Sequence, residues 1–295
     1  TGAVPFSGDN PSSGTRTVTI ADITDFHGHI ERGADNATAF TVADSHNPGN
    51  MIPVSTGDLV GGSPYESAVE KDQPTLDMAK AWGLTISAVG NHEFDRGVAD
   101  FNNRIADPSN GIDWLCANTS AANKSSDGLL SHVRDSTIRT VNGKWIGSVA
   151  TPQITRDADL DERAVDAINR VARELKRSGK VDAVVALLHA DASAVVDIGR
   201  EVDVVYTGHS HAIKHGTTAG GAPIYEAGSF GRPTLTSAMA PAIRRLTACW
   251  AWMGLMRIRR KPLGCLPVLR RTMRYRARSI FTRRRQHMRT IPAAR

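Results

Sequence analysis

Seven residues of types that bind metal cations (two Asp, one Asn, four His) follow apolar, strand-like runs of the chain. TVTIADIT (17–24) leads into Asp25 and His27, MIPVSTG (51–57) into Asp58, and TISAVG (85–90) into Asn91 and His92. VDAVVALL (181–188) leads into His189, and EVDVVYTG (201–208) into His209 and His211. Carboxylate, imidazole and amide donors together suit a divalent cation, and two such cations side by side need a shared anionic ligand. Asp58 is suited to that bridge because the preceding Gly57 lets the backbone approach closely. Asp25-x-His27 and His209-x-His211 each place two donors at i, i+2, just past a strand end, where both can turn into one cleft. The set suffices for two ions, with Zn²⁺, Mn²⁺, Fe or Co²⁺ all compatible, and leaves His92 free for chemistry. Each piece alone is commonplace and reads as an ordinary loop residue; their recurrence at successive strand ends points to one site.

The elements that must position these residues are those of an α/β fold, in which ligands bind in the crevice beyond the carboxyl ends of the strands. Between the five runs, helices are expected near 72–82, 97–106, 161–178 and 191–200. Asn142-Gly143, inside RDSTIRTVNGKWIGSVA (134–150), is a strong hairpin signal. A second hairpin is expected from Ala212 through Gly220-Gly221 to Tyr225, so antiparallel pairs supplement the parallel strands. Trp82, Trp145 and the stripe Ala164, Ile168, Val171, Leu175 are expected in the core. His29, His46, His132 and His215 lie in polar stretches and read as solvated. Arg96, directly after Asp95, reads as a surface salt bridge ahead of a contact to a substrate phosphate, and Gly61-Gly62 as a tight turn or a phosphate cradle.

Charge divides the chain. Residues 232–295 hold 17 of the 36 basic residues and none of the 30 acidic ones, leaving 19 basic against 30 acidic in residues 1–231. This predicts a flexible leader over 1–16, one acidic domain over 17–231 and an Arg-rich tail over 232–295. The tail admits three readings: a frameshift product of a GC-rich gene, a basic segment for nucleic acid or anionic lipid, or a disordered terminus. Its Arg283-Arg284-Arg285 and Trp250/Trp252 suit phosphate contact and interfacial anchoring. Three cysteines without CxxC spacing imply no disulfide framework. No apolar run reaches the roughly 18–20 residues a membrane helix needs.

The order Asp-x-His, Gly-Asp, Gly-Asn-His-Glu, His, Gly-His-x-His resembles the calcineurin-like metallophosphoesterases. Gly90-Asn91-His92-Glu93-Phe94-Asp95, ITDFHGHI (23–30) and GDLVGGSP (57–64) resemble the 5′-nucleotidase branch, and YEAGSFG (225–231) is similar to that family's strand after the Gly-His-x-His loop. The resemblance spans about Thr17 to Gly231. It implies a four-layer α-β-β-α sandwich with mixed sheets. It implies that Asp25, His27 and His211 hold one metal and Asn91, His189 and His209 a second, with Asp58 bridging. In related nucleotidases the position of His211 can be Gln. His92 would bind no metal; it would stabilise or protonate the leaving oxygen, oriented by Asp95. The implied reaction is hydrolysis of nucleotide phosphate esters by metal-activated water, without a phosphoenzyme, in an extracytoplasmic compartment. UDP-sugar hydrolases and 2′,3′-cyclic nucleotide phosphodiesterases share every motif named. The branch's usual second, base-gripping domain has no counterpart in 232–295, so weak activity with poor discrimination among nucleotides is expected. The competing non-enzymatic reading is a truncated, inactive metal-binding remnant with a polyanion-binding tail.

Overall fold

The computed structural model describes residues 17–152 and 163–231, and the backbone of Thr236–Pro241 and Thr247–Cys249. The leader and most of the tail, with the readings attached to them, lie outside the described residues. Strands β1 (Thr17–Ile23), β2 (Met51–Ser55), β3 (Ile86–Ala88), β4 (Asp113–Leu115) and β5 (Val133–Arg134) lie parallel and in chain order. Helices α1 (Gly33–Ser45), α2 (Tyr65–Ala68), α3 (Gln73–Ala81) and α4 (Val98–Asp100) fall between them, α4 running into a π-helical turn at Phe101–Ile105. A hairpin, β6 (Ser136–Val141) with β7 (Lys144–Pro152), opens a second sheet. It continues through α5 (Ala164–Arg177), β8 (Ala183–His189) and β9 (Val204–Thr207) to a closing hairpin, β10 (Ile213–Thr217) with β11 (Pro223–Ala227). In this sheet, β7, β8, β9 and β11 are parallel. β12 (Thr236–Pro241) and β13 (Thr247–Cys249) return to the first sheet, β12 antiparallel to β1 and β13 to β12.

The near-continuous apolar runs of the sequence are explained by burial on both faces of each sheet. Along β1, Val18 and Ile20 face the second sheet, where they join Val54, Ile86, Val185, Leu187 and Tyr206. Ala21 and Ile23 face the other way, into a layer with Phe40, Leu76, Trp82, Phe101 and Trp114. On the far side of the second sheet, Val184, Ala186 and Leu188 pack with Ile168, Val171 and Leu175 of α5. The architecture is the four-layer α-β-β-α sandwich. Because the runs that lead into the candidate ligands lie on strands parallel within each sheet, their carboxyl ends share one edge of the molecule.

Several local expectations need correction. The helix expected over 191–200 is only a 3-10 turn at Ala192–Val195. Val196 O and Ile198 O instead accept from Ala219 N at 2.6 Å and Gly220 N at 3.0 Å, so the hairpin takes carbonyls a helix would use. Trp145 is 47% exposed rather than core, since it sits beside the Asn142-Gly143 turn of an outer hairpin. α1 was not expected; its buried face is only Gly33, Asn36, Phe40 and Ala43, too small and polar to stand out as an apolar stripe. The strands β12 and β13 were likewise not legible, yet backbone pairing carries the first sheet past Gly231.

Candidate metal centre

The loops beyond β1, β2, β3, β8 and β9 converge, and they do so through strained backbone. Asp25, His27, Asp58, His209 and His211 all have positive φ, between 47° and 75°. Such left-handed conformations cost free energy in non-glycine residues and persist only where surrounding bonds over-determine them. Those bonds are present: Asp25 N donates to Gly57 O at 3.1 Å, His27 N to Asp58 O at 2.9 Å, and His209 N to the Asp25 carboxylate at 3.0 Å. Gly90 permits a close approach, since a Cβ there would collide with the Asp58 carboxylate and amide.

Donor atoms meet in two neighbouring groups, Asp25/His27/His211 and Asp58/His189/His209. In the first, His27 Nε2 lies 3.3 Å from His211 Nε2, and His211 Nε2 lies 3.4 Å from Asp25 Oδ1. In the second, Asp58 Oδ2 is 3.0 Å from His189 Nε2, and Asn91 Oδ1 is 3.1 Å from both His189 Nε2 and His209 Nδ1. Asp58 Oδ2 also stands 3.7 Å from His27 Nε2, between the groups. Ligands around one cation at about 2.0–2.2 Å stand roughly 3–3.5 Å apart, so these separations fit ion binding.

Tautomers are set from outside. His27 Nδ1 faces Gly61 O at 2.8 Å and His189 Nδ1 faces Thr56 O at 3.0 Å, so each donates there and leaves Nε2 as the atom that would face an ion. The electrostatics ask for positive charge, because Asp25 and Asp58 are buried at 0% and 1% exposure. Burial disfavours the imidazolium of His189, yet the Asp58 carboxylate overrides it and pushes the pKa up to about 9. At His27 burial dominates and lowers the pKa.

His92 belongs to a third grouping with His27 and Asp58. Its Nδ1 is 3.0 Å from Asp95 Oδ2, its backbone N donates to Asp58 Oδ1 at 2.9 Å, and Asp95 is itself fixed by Gly62 N at 2.8 Å. Burial opposes its charged form, but the bond to Asp95 and the Asp58 charge raise its pKa. Gly61 and Gly62 have φ of 81° and 56°, as a tight turn requires, and the Gly62 amide is taken by Asp95. Arg96 donates to Ala68 O at 2.9 Å, and the expected salt bridge is not formed among the described residues. It lines a cavity of about 250 Å³ with Gly62, Ser63, His92 and Asp95. His132, expected to be solvated, is held by Asn102 O at 2.7 Å.

All nine site residues expected from sequence lie at this one edge. Sequence reasoning missed three neighbours. Glu93 is buried, and its carboxylate accepts from Asp58 N at 3.0 Å, Leu59 N at 2.8 Å and Gly90 N at 2.6 Å. Its burial and the nearby Asp58 charge push its pKa up to about 8. Its place in Gly90-Asn91-His92-Glu93 was the signal that could have found it. Phe230, with φ 59°, packs its ring 4.8 Å from His211, 4.7 Å from His29 and 5.6 Å from His27. Glu226, 1% exposed on β11, bonds the loop that carries His209.

These features define a metallophosphoesterase, and residues 18–212 match the calcineurin-like phosphoesterase family model. The chain belongs to that family of hydrolases. It is 24% identical over 282 residues to cell wall protein Lmo0130 of Listeria monocytogenes, covering 72% of this chain and 36% of that protein. Among solved structures, it matches the NAD nucleotidase of Haemophilus influenzae with a TM-score of 0.66 at 17% identity, covering 80% of this chain and 55% of that one. A 5′-nucleotidase precursor from Thermus thermophilus gives a TM-score of 0.66 at 16% identity, over 79% and 54%. At these identities the structural likeness is one of fold. The chain spans about a third of the length of Lmo0130 and about half that of the two solved chains. No helix among the described residues is long and apolar enough to cross a membrane.

Proposed function

We propose that the protein is a dinuclear metal-dependent phosphoesterase of the 5′-nucleotidase type, acting outside the cytoplasm on nucleotide phosphate esters. One observation carries this reading: two donor groups share the vicinity of Asp58 and lie against the His92–Asp95 pair. Asp25, His27 and His211 would hold one ion and Asn91, His189 and His209 the other, with Asp58 shared between them. When bound, two divalent cations supply Lewis-acid chemistry, lowering the pKa of water and offsetting charge on the phosphoryl group. His92 donates its Nδ1 proton to Asp95, which leaves Nε2 as the atom that gives a proton to the departing ester oxygen. Asp95 holds that ring in place, and the Gly62 amide holds Asp95. The names of the nucleotidase fold relatives and of the Listeria cell wall protein support the substrate class and the compartment.

The test is a panel of nucleotides, UDP-glucose, 2′,3′-cyclic AMP and p-nitrophenyl phosphate, assayed with Mn²⁺ or Zn²⁺ and with EDTA, alongside elemental analysis. Phosphate release from 5′-nucleotides, abolished by EDTA and restored by metal, is the expected result. Two bound metals with no turnover on any ester would leave only the inactive-remnant reading.

A further inference from the structure

Behind the Gly-His-Ser-His loop lies a group of polar side chains that the proposed chemistry does not use. Asp191 follows His189 by two residues, Ser210 separates His209 from His211, Lys214 opens the closing hairpin, and Glu226 lies on β11. Ser210 Oγ donates to Glu226 Oε1, and Ala192 N donates to Glu226 Oε2 at 3.3 Å. Lys214 Nζ pairs with Asp191 Oδ2 and comes within 3.4 Å of Ser210 Oγ. Asp191 Oδ1 in turn accepts from Ser193 N at 2.8 Å. One buried carboxylate therefore bonds both the segment after His189 and the residue beside His209.

We propose that Glu226, with Ser210, Lys214 and Asp191, forms a polar clamp that fixes His189 and His209 at the separation one divalent cation requires. The inference rests on the metal-centre reading above. The clamp touches no donor atom, so its members are positioning residues. Its need follows from the backbone. His189 is the last residue of a strand and is fixed by Thr56 O, whereas His209 and His211 sit in left-handed turns at φ 75° and 57°. Strained residues of that kind stay in place only when bonds from outside hold them. Ser210, between them, is where such a bond has leverage over both. A carboxylate buried like Glu226 is tolerated because both its oxygens are bonded. The Lys214–Asp191 pair is part-exposed and weak by itself; it closes the network from the solvent side. His211 has separate support from Phe230 and Asp25, so the clamp acts chiefly on the ion held by His189 and His209.

The experiment uses the full chain, stripped with EDTA and titrated with Zn²⁺ against a chromophoric chelator. Wild type is expected to bind two equivalents. Ser210→Ala and Glu226→Gln should keep one equivalent at wild-type affinity and weaken the other roughly 10- to 100-fold. Their kcat should recover in excess metal with KM unchanged, and Ser210→Thr, which retains the hydroxyl, should restore the affinity. A merely structural role would lower melting temperature without this split between the two equivalents. If Glu226→Gln does not fold, Ser210→Ala decides by itself. Two equivalents at wild-type affinity in Ser210→Ala would overturn the clamp while leaving the metal centre standing. Fewer than two in wild type would overturn the dinuclear reading, and the clamp with it.

Discussion

Each half of the candidate metal centre is backed by one buried glutamate, but the two glutamates hold different things. Glu93, behind the first-sheet loops, accepts from the backbone amides of Asp58, Leu59 and Gly90. Glu226, behind the second-sheet loops, accepts from one amide and one hydroxyl, with Lys214 and Asp191 alongside. Amides are present whatever the side chain, so the first half is set by chain path. The second half depends on the identities of Ser210, Lys214 and Asp191. The first should tolerate substitution of neighbours but not of Glu93; the second should weaken by degrees.

The largest expected effect is at the first half. Glu93→Ala strands several buried amide donors, each worth about 1–3 kcal/mol when unsatisfied. It should lower stability by about 3 kcal/mol or more and lose both metals, read by thermal denaturation and elemental analysis. Retention of two metals would show that the two halves are not held differently. Next, His92→Asn should keep its metal content and lose roughly 10²- to 10⁴-fold in kcat, the range for a general acid. Loss of metal instead would make His92 a ligand and merge it with the first-sheet donors.

A smaller contrast lies in two glycines. Gly61 has φ 81°, and an added Cβ would collide with the His92 carbonyl oxygen. Gly61→Ala should therefore cost roughly 1–3 kcal/mol in chemical denaturation. Gly216, on a second-sheet edge strand, would meet only the Ile224 side chain, at 3.5 Å or more, so Gly216→Ala should stay within about 0.5 kcal/mol.

The smallest effect tests a link between the sheets away from the ligand edge. Asp113, at the start of β4, accepts from Arg139 at 2.7 Å and Thr137 at 2.8 Å on β6. Burial pushes its carboxyl up, but the bonds from Arg139 and Thr137 prevail and hold it below the ordinary range. A depressed folded-state pKa contributes stability above the unfolded value of about 3.9 and loses it as pH falls through the folded value. Asp113→Asn should be slightly less stable than wild type at pH 7, read by chemical denaturation. That gap should close below about pH 4, and metal affinity should not change.

Much of the site could be read from the chain alone. Metal-type residues after apolar runs are a local pattern, and parallel strands bring their carboxyl ends to one edge. The two hairpins were legible because Asn142-Gly143 and Gly220-Gly221 carry turn chemistry in their own types. What was missed depended on partners distant in sequence. The helical stretch after Asp191 was replaced because the hairpin at Ala219 and Gly220 claimed its carbonyls. Trp145 has the composition of a core residue and the position of a hairpin edge.

The sequence by itself determined which donors exist, their order, and that they follow strands, because residue type and periodicity are local properties. Only the tertiary structure decided how those donors face one another. The left-handed turns at Asp25, His27, Asp58, His209 and His211 are unfavourable for the isolated chain. They hold because bonds from residues such as Glu93, 35 positions from Asp58, reach across the fold. Such bonds leave no periodic mark in the sequence, so the spacing they impose is visible only once the sheets have packed.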